Sequence, residues 1–132
     1  MKVLALDYGS ARTGVAVSDP SGTIARPLEV VERAATERGL ARLAEIVREQ
    51  APDRIIVGLP LTLRGARGEQ VAATDDFIEA LRRTVHVPVE SFDERFTTVM
   101  ASRDPRGGAE EDSRAAAHLL SGYLEWAKEN DA

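Results

Sequence analysis

Apolar and polar positions recur along the chain with two periods and in unbroken runs, and each pattern assigns an element. Lys2-Val3-Leu4-Ala5-Leu6-Asp7 is an almost wholly apolar run closed by the turn Tyr8-Gly9-Ser10, the signature of a central strand buried on both faces. Gly14-Val15-Ala16-Val17-Ser18 follows after a connection too short for a crossover, so it is an antiparallel neighbour. Asp19-Pro20-Ser21-Gly22 has turn chemistry, and Leu28-Glu29-Val30-Val31-Glu32 reads as the third strand of a meander.

From Thr36 to Gln50 the period changes. Leu40, Leu43, Ala44 and Val47 recur at i, i+3, i+4 and i+7, which predicts an amphipathic helix weakened at Gly39 and ended by Pro52. Arg54 to Leu59 is a further apolar strand, stopped by Pro60, and a loop with Arg64 and Arg67 leads to a helix over 69–83 that buries Val71, Phe77, Ile78 and Leu81. Val85, Val87 and Val89 alternate with His86, Pro88 and Glu90, which predicts a fifth strand placed at a sheet edge by its proline. After Asp93-Glu94-Arg95 comes a short helical or irregular stretch with a break over 105–108, then a last helix over 110–128. The order β-β-β-α-β-α-β-α predicts an α/β fold: a mixed five-stranded sheet, the third and fifth strands at its edges, with helices on both faces. At 132 residues, with no repeat or linker, this is one domain over 1–132.

Composition narrows the chemistry. No apolar run approaches a membrane span, and Asp7 arrives too early for a signal peptide, so a cytoplasmic location without membrane partners is expected. The absence of Cys removes disulfides, thiol nucleophiles and Cys-based zinc sites; two isolated histidines, His86 and His118, make a poor metal set. A metal would be held by oxygen, which favours Mg²⁺ or Mn²⁺. Seventeen Lys and Arg against 22 Asp and Glu give a net charge of −5, which argues against indiscriminate adhesion to nucleic acid but not against a nuclease.

In open α/β sheets reacting groups collect beyond the carboxyl ends of the central strands. Asp7 ends the first strand and Asp93-Glu94 the fifth. Taken singly, Asp7 reads equally as a turn residue and Asp93 as a helix cap. In the last helix Asp112, Ala116, Leu119, Tyr123 and Trp126 are spaced by 4, 3, 4 and 3, so a carboxylate heads the stripe that packs on the sheet. His118 falls on another side of that helix. Such acids together suit two divalent cations at a phosphodiester, and two would take the net charge from −5 to −1. Asp93 and Glu94, adjacent on an extended segment, point to opposite faces, so only one is expected as a direct ligand, and Glu94 is favoured. Gly9 would let a phosphate or metal approach the backbone, and Arg12 would neutralise a phosphate or remain a solvated turn residue.

Four ordered segments carry a resemblance over essentially the whole chain: Leu6 to Asp19, Ile56 to Leu61, Asp93-Glu94-Arg95-Phe96-Thr97-Thr98, and Asp112-Ser113-Arg114-Ala115-Ala116. They resemble the signature segments of the RuvX/YqgF family of RNase H-like nucleases, associated with pre-16S rRNA processing and Holliday junction resolution. The resemblance implies an RNase H-like fold and a metal-dependent nuclease, with the family's acidic positions on Asp7, the Asp93-Glu94 pair and Asp112. On that reading Asp7, Glu94 and Asp112 are metal ligands, and Gly9, Arg12 and Arg95 are substrate contacts. The chain departs from the family's pattern at Ala11, where Lys is frequent, at Thr62, where Asn is usual, and over 99–111, which is shorter and less basic; these thin the phosphate-contacting charge. The leading expectation is an endonuclease on structured RNA. A resolvase of branched DNA would need a homodimer presenting two sites. Asp7-x-Gly9 with Gly14 also resembles the first phosphate loop of actin-like and sugar-kinase ATPases, which need a second lobe, and a non-catalytic RNA-binding module is the remaining alternative.

Overall fold

The computed structural model describes residues 1–59, 68–94 and 109–130. In chain order they form β1 (Val3–Asp7), β2 (Arg12–Ser18), β3 (Ala25–Glu32), α1 (Glu37–Gln50), β4 (Arg54–Leu59), α2 (Glu69–Thr84), β5 (Val89–Asp93) and α3 (Ala109–Asn130). The sheet order is β3-β2-β1-β4-β5. β1 pairs antiparallel with β2 and β2 with β3, while β1–β4 and β4–β5 are parallel. This is the mixed sheet that the patterning predicts, with β3 and β5 on its edges. Arg95, Thr62, Arg64, Arg67 and the stretch 96–108, with the Thr97-Thr98 segment and the break over 105–108, lie outside the described residues.

Strand alternation divides the core in two. Leu4, Leu6, Val15, Val17, Ile55 and Val57 face α1 and α2, where Leu43, Ile46, Phe77 and Leu81 cover them. Val3, Ala5, Ala16 and Ile56 face the opposite way, onto Ala116, Leu119, Leu120 and Tyr123 of α3. Each large side chain buried in this way contributes about 2 kcal/mol. Both parallel crossovers thus carry their helices on one face, as right-handed connections require, and α3 has the other face to itself.

Local chemistry sets the boundaries. Thr36 caps α1, its hydroxyl oxygen accepting from the Gly39 N–H at 3.2 Å. Gly39, a weak point by helix propensity, is required by packing: a Cβ there would lie 2.2 Å from the Arg33 carbonyl oxygen. α1 ends on Ala51 in the left-handed conformation, its N–H bonded to the Val47 carbonyl, with Pro52 following. β3 begins earlier than its apolar pattern indicates, at Ala25, because Pro27 sits on an edge strand where its missing N–H costs no ladder bond; the register slips between Val15 and Ala16 opposite it.

The fifth strand is a correction. It runs over Val89–Asp93, and Val85 to Pro88 form the turn that precedes it. Val85 caps α2 and Val87 packs on the core from that turn, so burial in a connection imitates strand alternation. Pro88 still joins the sheet through its carbonyl, which accepts from Ile55 N–H at 2.9 Å. Among the described residues no helix is long and apolar enough to cross a membrane.

Candidate active site

Asp7 continues the Val3, Ala5 series onto the α3 face at the carboxyl end of β1, and it is buried. Its antiparallel partner is Gly14. A Cβ at Gly14 would fall 1.9 Å from the carbonyl oxygen of Asp112 and 3.2 Å from the amide nitrogen of Ser113. The first described turns of α3 therefore rest backbone on backbone against β2. That seat brings the Asp112 side chain, 10% exposed, to the edge of Asp7's strand pair. Two residues before Gly14 on the same face of β2, Arg12 reaches Asp112, its Nε 3.0 Å from Oδ2. The Arg12 side chain is 37% exposed.

Glu94 lies just past the end of β5. Its carboxylate occupies the space above Gly58 of β4, where a Cβ would come 2.7 Å from Oε1 and 3.0 Å from Cδ2 of Leu119. Burial pushes the Glu94 carboxyl above the ordinary glutamate value, and the neighbouring Asp93 charge adds to the rise. Asp93 ends β5 opposite Leu59. Alternation with Phe92, which packs on the α3 side, turns it to the other face of the strand.

Gly9 has a structural duty in the turn. A Cβ there would lie 2.5 Å from the Arg12 carbonyl oxygen, and Thr13 accepts from the Gly9 N–H at 3.4 Å while its hydroxyl donates to the Gly9 carbonyl at 3.3 Å. The Tyr8 ring stacks on Phe77 of α2, centroids 4.4 Å apart, which ties the turn to the other face. His118 is exposed. Trp126 is half-buried, 5.6 Å from Phe92 ring to ring.

Asp7, Glu94, Asp112 and Arg12 therefore share one end of the α3 face; Asp93 and Gly9 border it. Among the described residues no three His or carboxylate side chains are close enough together to hold one ion. The acids share a face without forming a closed cage. In the sequence Gly14 figures only in the rival phosphate-loop resemblance and Gly58 has no role, although Gly14's position opposite Asp7 follows from the length of the turn between the two strands.

Comparison with known proteins decides the lineage. The profile of the RuvX family, described as Holliday junction resolvase, matches residues 1–126. The chain belongs to the RuvX family. A RuvX-family relative from Chloroflexus aggregans, named "Putative pre-16S rRNA nuclease", is 40% identical over 93% of this chain and 92% of its own. One from Nocardia farcinica under the same name is 44% identical over 92% of this chain and 76% of its own. Among solved structures, Thermus thermophilus RuvC in complex with a Holliday junction substrate superimposes with a TM-score of 0.69 over 98% of this chain and 96% of that one, at 17% identity. At that identity the likeness establishes the fold: RuvC and this RuvX-family chain share an RNase H-like architecture.

Proposed function

We propose that this protein is a metal-dependent endonuclease that hydrolyses phosphodiester bonds in structured nucleic acid, with precursor 16S rRNA as its substrate. The observation that carries the reading is the placement of Asp7, Glu94 and Asp112 on one face, at the carboxyl ends of the strands, in a RuvX-family chain whose relatives bear a pre-16S rRNA nuclease name. The donor set fits a hard divalent cation. All three are carboxylates, suited to Mg²⁺ or Mn²⁺. Glu94 is a crowded acid that a cation would relieve.

Asp7, Glu94 and Asp112 would hold the metal, two ions being the finer form of the proposal. Bound there, a divalent cation acidifies water and neutralises charge on the phosphate. The chain's own residues supply the remainder. Arg12, anchored by Asp112 and partly exposed, would pair with a phosphate of the substrate. Asp112 holds that guanidinium in orientation, and Leu119 of α3 borders the space over Gly58 that the Glu94 carboxylate occupies.

The description of the family profile favours a second reading, resolution of branched DNA, which would require a symmetric dimer in solution. End-labelled rRNA precursor and four-way junction DNA, incubated side by side with the protein in Mn²⁺ and in EDTA, test both. Cleavage of the precursor in Mn²⁺ alone is the expected result, with Ca²⁺ supporting binding without turnover. Full cleavage in EDTA would overturn the metal-dependent reading.

A further inference from the structure

The segment Ile56 to Leu59 belongs to one of the family's signature runs, yet its glycine takes no part in the chemistry above. Leu6 pairs with Val57 across the parallel ladder, so one step further along both strands Gly58 stands beside Asp7. Gly14 stands beside Asp7 on the other side. Across β2, β1 and β4 the α3-facing row reads glycine, aspartate, glycine, so the one side chain these three strand positions supply is a carboxylate.

The two glycines do different things. At Gly14 the atoms that a Cβ would strike belong to the backbone of Asp112 and Ser113. At Gly58 they are the ends of two side chains: Oε1 and Cδ of Glu94 at 2.7 and 3.2 Å, and Cδ2 of Leu119 at 3.0 Å. Gly58 is not among the residues with positive φ, so its backbone conformation is open to any residue. Conformation does not explain a glycine there, whereas the space it leaves is filled by the Glu94 carboxylate.

We propose that Gly58 is a positioning residue for Glu94: its missing side chain forms the pocket, floored by β4 and roofed by Leu119 of α3, that holds the Glu94 carboxylate on the same face as Asp7. The proposal rests on the reading of Glu94 as a metal-binding residue. It predicts a specific division of consequences. Because side-chain termini rather than backbone would be struck, Gly58→Ala leaves the sheet in place and displaces the carboxylate.

The test compares the full chain with Gly58→Ala, Glu94→Gln and the double variant, by thermal melting without metal and by titration calorimetry with Mn²⁺. Gly58→Ala is expected to melt within a few degrees of the parent and to bind Mn²⁺ about tenfold more weakly, the scale seen when a group that orients a ligand is removed. The double variant should bind no more weakly than Glu94→Gln alone, because the two changes act on one carboxylate. Parental Mn²⁺ affinity in Gly58→Ala, with Glu94→Gln impaired, would overturn the positioning role and leave the Glu94 reading standing. Parental affinity in Glu94→Gln would overturn both. Additive losses, or a melting point lowered by more than about ten degrees in Gly58→Ala, would mean that the strand gives way rather than the carboxylate, and would also overturn it.

Discussion

The two ends of the α3 face hold charged and polar groups in opposite states. At the amino end of β1, Asp19 accepts from the N–H groups of Thr23 and Ile24 at 2.7 and 2.9 Å and from the Ser21 hydroxyl. These donors, the Ile24 N–H foremost, hold its carboxyl well below the usual range. Nearby, Arg54 donates to the Tyr123 hydroxyl at 2.5 Å and lies 3.6 Å from Glu90. At the carboxyl end, Glu94 is half-buried beside Asp93 and pushed the other way. One end has donors matched to its acid; the other has acids that share a face, one of them paired with Arg12. An acid saturated by donors stabilises a fold, whereas a half-buried acid beside a like charge costs stability when it ionises.

If that contrast holds, substitutions at the two ends should separate activity from stability. Asp7→Asn is expected to have the largest effect, removing cleavage by orders of magnitude. In EDTA it should nonetheless melt higher than the parent, by roughly 0.5–2 kcal/mol, since one repelling charge has gone. The Mn²⁺-induced rise in melting temperature should shrink with it. A lower melting point in EDTA with the full metal-induced shift would make Asp7 structural. Gly14→Ala should come next, because its Cβ meets helix backbone rather than a movable side chain. A loss of about 3 kcal/mol, some ten degrees in melting temperature, is expected; an unchanged melting curve would mean that α3 is not seated on β2.

Tyr123→Phe probes the other end. It should cost about 1 kcal/mol for the lost bond from Arg54 and leave cleavage intact. A loss of activity there would erase the distinction between the ends. Arg12→Ala is expected to weaken nucleic-acid binding and lower its salt slope by about one, measured by binding at several salt concentrations.

The smallest effect is a pH dependence with a defined sign. Glu94 holds its proton more tightly in the folded chain, so its contribution is fullest below the ordinary glutamate value of about 4.5 and is lost as pH rises through the raised one. Asp19 works in reverse, contributing above the ordinary aspartate value and losing that contribution as pH falls. Metal-free melting curves from pH 4.5 upward should therefore decline less steeply in Glu94→Gln than in the parent. Parallel curves would mean that Glu94 does not titrate in that window.

Most of the strands, the helices and the sheet order were legible from period and run length because burial on one face or two imposes those patterns directly. Asp112 was legible for the same reason, at the head of the stripe that Leu119 and Tyr123 continue. The start of β5 was not, since Val85 and Val87 are buried from a turn and burial alone does not distinguish a turn from a strand. The extension of β3 through Pro27 was hidden because its tolerance depends on lying at an edge.

Residue types, their spacing and the turn lengths were enough to place three acids at strand and helix ends and to assign the family, since those signals are local and survive without coordinates. The pairing of Arg12 with Asp112, and the seating of α3 on Gly14 and of Glu94 over Gly58, join residues from about 36 to 100 positions apart in the chain. No local period records such contacts. They exist because a glycine leaves a gap in the sheet, and what fills a gap is decided by whichever distant element is packed against it.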